Sequence, residues 1–255
     1  MNNKTLPLLH RMGQRLLAIF FPSRCLMCRT VVPFGQHFCS KCRWYPADMA
    51  LLAQTFQDAD CDGALALFQY DTVTVRAIMS MKTYRDNGSV DFFSHEMARC
   101  IEKEWATAGF DLVTCVPMSP KTRRSRGFNH AAVLGRAVAD LLGLPFHEDL
   151  LSRDSRSKPQ RRLLRDERFE NANNSYYLAK GQEKASGMRI LLIDDVLTTG
   201  ATARACARLL KNAGAASVYA AAVCAANPQQ SQLQEESEAK EPESLEPEAD
   251  TIDFL

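Results

Sequence analysis

Residues 190–202 read ILLIDDVLTTGAT, and this stretch decides the fold. Its apolar run ILLI predicts a strand over residues 188–193 that is buried on both faces, as strands of parallel sheets are. Asp194 and Asp195 follow at the carboxyl end of that strand, which is where α/β sheets bind their ligands. The residues after them turn into a predicted helix, so a strand, a polar loop and a helix come in direct succession.

Two adjacent carboxylates and several hydroxyls give this loop its chemistry. The carboxylates can accept hydrogen bonds from two neighbouring ribose hydroxyls. Gly200 lacks the Cβ that would keep the backbone away from a phosphate, and the following helix N-terminus favours negative charge. We therefore predict a ribose-phosphate site. Its residues are Asp194, Asp195, Thr198, Thr199, Gly200, Ala201 and Thr202. The alternative is a strand ending in Asp before a threonine N-cap, which is common in α/β proteins.

Strands and helices alternate on both sides of this loop. The hydrophobic periodicity predicts strands at 63–70, 111–116, 174–179, 188–193 and 217–224, and helices at 72–84, 89–106, 128–142 and 200–213. Such alternation predicts an α/β fold with a mostly parallel sheet flanked by helices. No Walker A loop and no G-x-G-x-x-G motif occurs in the sequence, so the phosphate loop is of another kind.

Two closely spaced cysteine pairs lie before the α/β region. They are Cys25 with Cys28 and Cys39 with Cys42. Four thiolates complete a tetrahedral zinc site with no open position, so the spacing predicts a structural Zn²⁺ ribbon. Redox-active pairs or ordinary buried cysteines are the alternative. The ribbon itself is expected either to contact nucleic acid or to play a structural, interdomain role.

Two stretches carry dense positive charge. The first follows strand 111–116 and contains Lys121, Arg123, Arg124 and Arg126. The second, residues 153–168, contains Arg153, Arg156, Lys158, Arg161, Arg162, Arg165 and Arg168. We predict that the first binds an anion near the sheet edge, and that the second is a mobile loop over a phosphorylated ligand or a patch for nucleic-acid phosphates. A solvated basic loop and a like-charged surface helix are the respective alternatives.

The net charge of +1 hides a strong asymmetry. Residues 229–255 contain nine acidic residues and one lysine, which leaves the tail at −8 and the rest of the chain at +9. A body of that charge favours polyanionic partners such as nucleotides or nucleic acid. Because Glu, Ser, Gln and Pro dominate after Pro228, we expect a disordered tail. Its last residues, 250–255, combine acidic and apolar side chains and are a candidate docking peptide for another protein.

The sequence divides into four predicted parts. They are an amphipathic N-terminal helix (1–21), a zinc ribbon (22–46), the α/β domain (61–226) and the acidic tail (227–255). Arg11 and Arg15 interrupt the apolar residues of the first part, so we expect neither a signal peptide nor a membrane span. The remaining cysteines are odd in number and scattered, which favours a reducing, cytoplasmic location.

The loop and its context resemble a known family. ILLIDDVLTTGAT resembles the signature with which type I phosphoribosyltransferases bind 5-phosphoribosyl-1-pyrophosphate (PRPP). Three pieces behind a double-CxxC ribbon resemble the narrower ComF family of ComFC and GntX-like proteins, which is associated with DNA uptake in competence. They are MKTYRDN (81–87), VPMSPKTRRSRGFNHA (116–131) and the spaced Arg153, Gln160, Leu163, Arg168 and Asn171. The resemblance covers about residues 16–226 and departs at His130, where the family usually has Gln.

The resemblance implies a type I phosphoribosyltransferase-like fold with a small N-terminal zinc ribbon. It implies PRPP as the ligand, with Mg²⁺ bound to its pyrophosphate and with the first basic stretch holding the pyrophosphate. The expected function is that of a PRPP-binding protein in DNA uptake or utilisation that handles single-stranded DNA. An active phosphoribosyltransferase with an unknown acceptor, or a nucleotide-sensing regulator without catalysis, are the alternatives.

Overall fold

A computed structural model describes residues 23–26, 28–33, 36–42, 61–70, 74–75, 77–79, 87–153, 175–179 and 185–226. The predicted N-terminal helix, the basic residues between 156 and 168, and the acidic tail lie outside these residues. None of the helices in the described ranges is both long enough and apolar enough to cross a bilayer.

Besides the helical residues 74–75 and 77–79, the described part of the α/β region contains seven strands and four helices whose bounds are defined. In chain order they are β1 (Gly63–Gln69), α1 (Asn87–Glu104), β2 (Leu112–Cys115), α2 (Pro120–Arg126), α3 (His130–Leu142), β3 (Phe146–His147), β4 (Leu151–Arg153), β5 (Tyr176–Leu178), β6 (Arg189–Leu197), α4 (Ala201–Asn212) and β7 (Ser217–Ala225).

Five strands form one sheet in the order β1-β7-β6-β2-β3. Every neighbouring pair in it is parallel. The strands β4 and β5 form a separate antiparallel ribbon. The predicted α/β fold with a mostly parallel sheet is therefore confirmed, and the apolar run ILLI lies at its centre.

The two faces of β6 belong to two different hydrophobic cores. Ile190 and Leu192 pack in the core that contains α4, whereas Leu191 and Ile193 pack in the core that contains α1 and α3. All four side chains are fully buried. Since successive side chains of a strand point to opposite faces, an unbroken apolar run is the pattern that a sheet covered on both sides requires.

A short helix, α2, replaces the basic loop that was predicted after β2. Ser119 caps it, accepting a hydrogen bond on Oγ from the Thr122 N–H at 3.2 Å, and Gly127 ends it with a φ of 83°. None of its residues is buried, so it carries no apolar periodicity from which a helix could be recognised. The short strands β3 and β4 were not predicted either.

Strand β6 is longer than predicted, because it continues through Asp194 and Asp195 to Leu197. It pairs with β7 as far as Leu197↔Ala225, but with β2 only as far as Cys115↔Ile193. The predicted strand end at residue 193 is therefore wrong, while the two carboxylates do lie toward the carboxyl end of β6. They lie within β6, beyond the point where its neighbour on one side has ended.

The four paired cysteines come together in space. Their sulfur atoms all lie within 4.8 Å of one another, and Cys28 Sγ is 3.5 Å from Cys39 Sγ. A tetrahedral zinc ion with Zn–S bonds of about 2.3 Å requires sulfur atoms roughly 3.8 Å apart. Hydrogen bonding by Thr30 lowers the pKa of the Cys28 thiol to about 6, whereas burial raises the pKa of the Cys42 thiol; the charge of a bound metal ion favours the thiolate at both. The residues present therefore fit a structural zinc ion.

The cysteine cluster packs directly against the α/β domain. Phe38 meets Phe92 of α1 edge to face, with ring centroids 4.9 Å apart, and His37 lies 5.2 Å from the same ring. Leu26 and Val32 are buried in the core that α1 and α3 share. Of the two roles left open for the ribbon, these contacts support the structural, interdomain one.

Replacing Cys25 and Cys28 together with Ser should release the metal and loosen this module, because zinc binding supplies much of the folding free energy of such small units. We expect about one zinc per unmodified chain and none in the double variant, measured by elemental analysis. The near-ultraviolet signal of the Phe38 and Phe92 environment should also weaken.

The control is Cys100→Ser, which alters a half-exposed thiol of α1 outside the cluster and should keep the zinc. Full zinc retention by the double variant would contradict the assignment.

Candidate phosphate-binding site

The carboxyl ends of β2, β6 and β7 meet at one edge of the sheet, and the loop after β6 lies there. Asp194 and Asp195 are half-buried. The backbone N–H of Asp195 donates a hydrogen bond of 2.8 Å to Asp194 Oδ1. This bond holds the Asp194 carboxylate against the backbone at the start of the loop, so the two acidic side chains have a defined relative placement.

Gly200 makes the turn from the loop into α4. Its φ of 72° lies in the left-handed region, which glycine adopts without strain. As the N-cap residue it has no side chain to bond the first-turn amide groups of α4. The Thr199 hydroxyl accepts a hydrogen bond from the Ala201 N–H at 3.3 Å. The loop therefore directs a helix N-terminus toward the sheet edge, an arrangement that suits an anion.

Arg204 shapes this loop and was not predicted. Its guanidinium, in the first turn of α4, donates a hydrogen bond to the Thr199 carbonyl oxygen. A cation four residues after a glycine is no recognisable motif, so the sequence carries no signal for this role. The contact places a positive charge directly behind the loop backbone.

The β4–β5 ribbon contributes a second feature that was not predicted. Tyr176 of β5 is 5% exposed and packs with Ala201 and Cys206 of α4 in one core. Its hydroxyl forms a hydrogen bond with Thr202, and burial raises its pKa well above the usual value for tyrosine. Arg153 of β4 lies over the Tyr176 ring, 5.1 Å from its centroid.

The first basic stretch lies on α2, next to this edge. Since β2 is the parallel neighbour of β6, the chain that leaves β2 toward α2 emerges on the same side as the loop. All four cations are exposed, and Arg123 forms an ion pair of 3.3 Å with Glu148. Of the second basic stretch, Arg153 lies at the end of β4, while its other six cations lie outside the described residues and their placement stays a prediction.

Asn129 and His130 connect α2 to α3 in the interior. Asn129 is buried and donates from Nδ2 to the Val116 carbonyl oxygen at 3.1 Å, so it binds the end of β2 and not its own helix. His130 is 1% exposed and packs edge to face with Phe128 at 4.5 Å. At the position where the resemblance departs from its family, the structure thus shows a packed aromatic side chain.

Two thiols lie near the carboxylates but remain protonated. Burial is the main cause that raises the pKa of Cys115 and of Cys206, and the negative charge of Asp194 raises both further. Because the thiolate is the nucleophilic form, these cysteines are inert packing residues at neutral pH.

Comparison with known proteins relates this site to a family. The family model described as phosphoribosyl transferase domain matches residues 129–253. Competence protein ComFC of Bacillus subtilis is 32% identical over 158 residues, 60% of each chain. The DNA utilization protein YhgH of Salmonella typhi is 30% identical over 114 residues, 45% of this chain and 49% of that one.

Among solved structures, an adenine phosphoribosyltransferase matches with a TM-score of 0.39 and 17% identity, over 59% of this chain and 78% of that one. The chain spans 60% of the length of ComFC and about half of YhgH. The chain therefore matches the phosphoribosyl transferase domain model beside a four-cysteine cluster, and its resemblance to ComF-type proteins is confirmed.

Proposed function

We propose that this chain binds PRPP, or a related phosphoribosyl ligand, at the loop from Asp194 to Thr202. The observation that supports this most directly is the combination at one sheet edge of two carboxylates, a left-handed glycine and the helix N-terminus that this glycine begins. Each part matches one part of the ligand. A site for an uncharged ligand would need neither the glycine nor the helix terminus.

The two ends of the loop have different tasks in this proposal. Asp194 and Asp195 accept hydrogen bonds from the ribose hydroxyls, while Thr198, Thr199 and the backbone from Gly200 to Thr202 bind the 5-phosphate. The cations of α2 face the pyrophosphate, which brings Mg²⁺ with it when bound. The Arg204 guanidinium adds positive charge behind the phosphate, because it is fixed to the Thr199 carbonyl.

Replacing Asp195 with Asn should weaken PRPP binding roughly tenfold or more, because hydrogen bonds to a charged group contribute about 1.5 to 3 kcal/mol each. Calorimetric titration with PRPP and Mg²⁺ measures the dissociation constant, and a thermal-shift titration checks it independently.

The matched control is Asp140→Asn on the exposed side of α3, which should leave the affinity unchanged. Absence of PRPP binding by the unmodified chain would refute the proposal. The same samples also test catalysis: steady release of pyrophosphate with a mixture of nucleobases would identify an active phosphoribosyltransferase, the alternative that the exposed α2 cations favour.

We further propose that the chain acts in DNA uptake or utilisation in the cytoplasm and contacts single-stranded DNA. The support comes from the names of its curated relatives, a competence protein and a DNA utilization protein. The body of the chain is also strongly basic, and the cations of α2 are exposed on one short helix. An exposed cluster of this kind neutralises phosphates without reading sequence.

Reversing three of these charges with Lys121→Glu, Arg124→Glu and Arg126→Glu should weaken binding of single-stranded oligothymidylate. It should also reduce the salt dependence of the affinity, by about 0.7 in the logarithmic slope for each phosphate that the variant no longer neutralises. Fluorescence anisotropy at several ionic strengths measures both quantities. The pair Arg161→Glu and Arg162→Glu tests the second basic stretch in the same way.

Lys103→Glu is the control, because Lys103 lies in the last turn of α1 near the start of β2, at the opposite edge of the sheet. If all variants bind the oligonucleotide with equal affinity, or if no binding is detected at low salt, the proposed DNA binding is refuted. The proposal for the PRPP site does not depend on this result.

A further inference from the structure

The β4–β5 ribbon places two further side chains beside the phosphate loop. Arg153 and Tyr176 are directly opposite each other in the antiparallel register. Tyr176 is almost completely buried, whereas Tyr177, on the other face of β5, is 51% exposed. One of two consecutive tyrosines is therefore directed at α4 and the other at solvent.

Tyr176 connects the ribbon to the loop through a polar contact. Its ring packs in the core that contains Leu197 and Ala201, at the two ends of the loop. Its hydroxyl reaches Thr202, the last loop residue, and forms a hydrogen bond there. A buried tyrosine hydroxyl needs such a partner, and here the partner is a residue that our proposal places on the ligand phosphate.

Arg153 brings a cation to the same place. Its guanidinium lies 5.1 Å above the centre of the Tyr176 ring, within the range of a cation–π interaction. Its charge also acts on the Cys206 thiol of α4, so it lies near the first turns of that helix. Within the described part of the chain, its buried Nε has no hydrogen-bond partner. A buried donor without a partner beside an anion site is available to the anion.

We propose that Tyr176 is a positioning residue for the phosphate loop, and that Arg153, held on its ring, is a further anion-binding side chain of this site. The inference rests on the proposed function, since it concerns the same phosphoribosyl ligand. Tyr176 fixes the orientation of the Thr202 hydroxyl. Arg153 supplies a positive charge beside the loop, in addition to the cations of α2.

The test uses the full chain and PRPP with Mg²⁺. Tyr176→Phe keeps the ring, its packing and the cation–π contact, and removes only the hydroxyl. We expect PRPP affinity to fall roughly threefold to tenfold, the range of one hydrogen bond. Tyr177→Phe, the adjacent exposed tyrosine, should change nothing.

A double-mutant cycle with Thr202→Val distinguishes positioning from a general loss of stability. If the two hydroxyls act through one bond, the double variant binds PRPP no more weakly than the poorer single variant. Additive losses, or a Tyr176→Phe variant with unchanged affinity, would overturn the positioning role.

The role of Arg153 is tested by substitutions that remove or keep its positive charge. Arg153→Met should weaken PRPP binding at least tenfold, as expected for removal of a charged hydrogen-bond donor, and Arg153→Lys should recover part of the affinity. Equal affinity of Arg153→Met and the unmodified chain overturns the binding role. If the unmodified chain fails to bind PRPP, both the proposed function and this inference are refuted. If the unmodified chain binds PRPP and the Tyr176 and Arg153 variants bind it equally well, only this inference is refuted.

Discussion

The unequal length of neighbouring strands is the constraint from which the candidate site follows. On one side β6 is paired to its end with β7, and on the other its pairing with β2 stops at Ile193. Asp194 and Asp195 therefore keep an extended backbone while one flank of the strand opens. A carboxylate deeper in the sheet would lack water or a ligand, at a large desolvation cost. One in a free loop would lack a fixed direction. Half-burial at the end of a paired strand avoids both.

The same geometry accounts for what surrounds the carboxylates. Because β2 ends early, the chain leaves the sheet at that edge and forms α2, whose cations face solvent beside the opening. Asn129 then binds the Val116 carbonyl oxygen, close to the end of β2, and this fixes the start of α3. On the other face Gly200 turns the chain into α4. The cysteine cluster packs on the far side against α1, so it supports the core beneath the sheet and takes no part in the loop.

Much of this architecture could be predicted from the sequence, since it rests on local patterns. The run ILLI marks a doubly covered strand, Gly200 marks a turn to a helix, and the two CxxC pairs mark a metal site. The remainder depends on pairing between distant segments. The extension of β6 through its aspartates requires β7 beside it. Helix α2 buries none of its residues. Arg153 and Tyr176 are far apart in sequence and meet only through the antiparallel register.

The contacts that local patterns missed have one property in common: they support the loop from behind or from the side. Arg204 holds the Thr199 carbonyl, Tyr176 holds the Thr202 hydroxyl, and Arg153 is held by Tyr176. A phosphate site made of backbone amides and hydroxyls binds well only if those groups are oriented before the ligand arrives, because ordering them at binding costs conformational entropy. In the proposed site, the signature residues thus contact the ligand, while these supporting contacts hold the signature residues in place. Transfer chemistry would in addition require an acceptor placed against the ribose, and nothing in the loop itself supplies that.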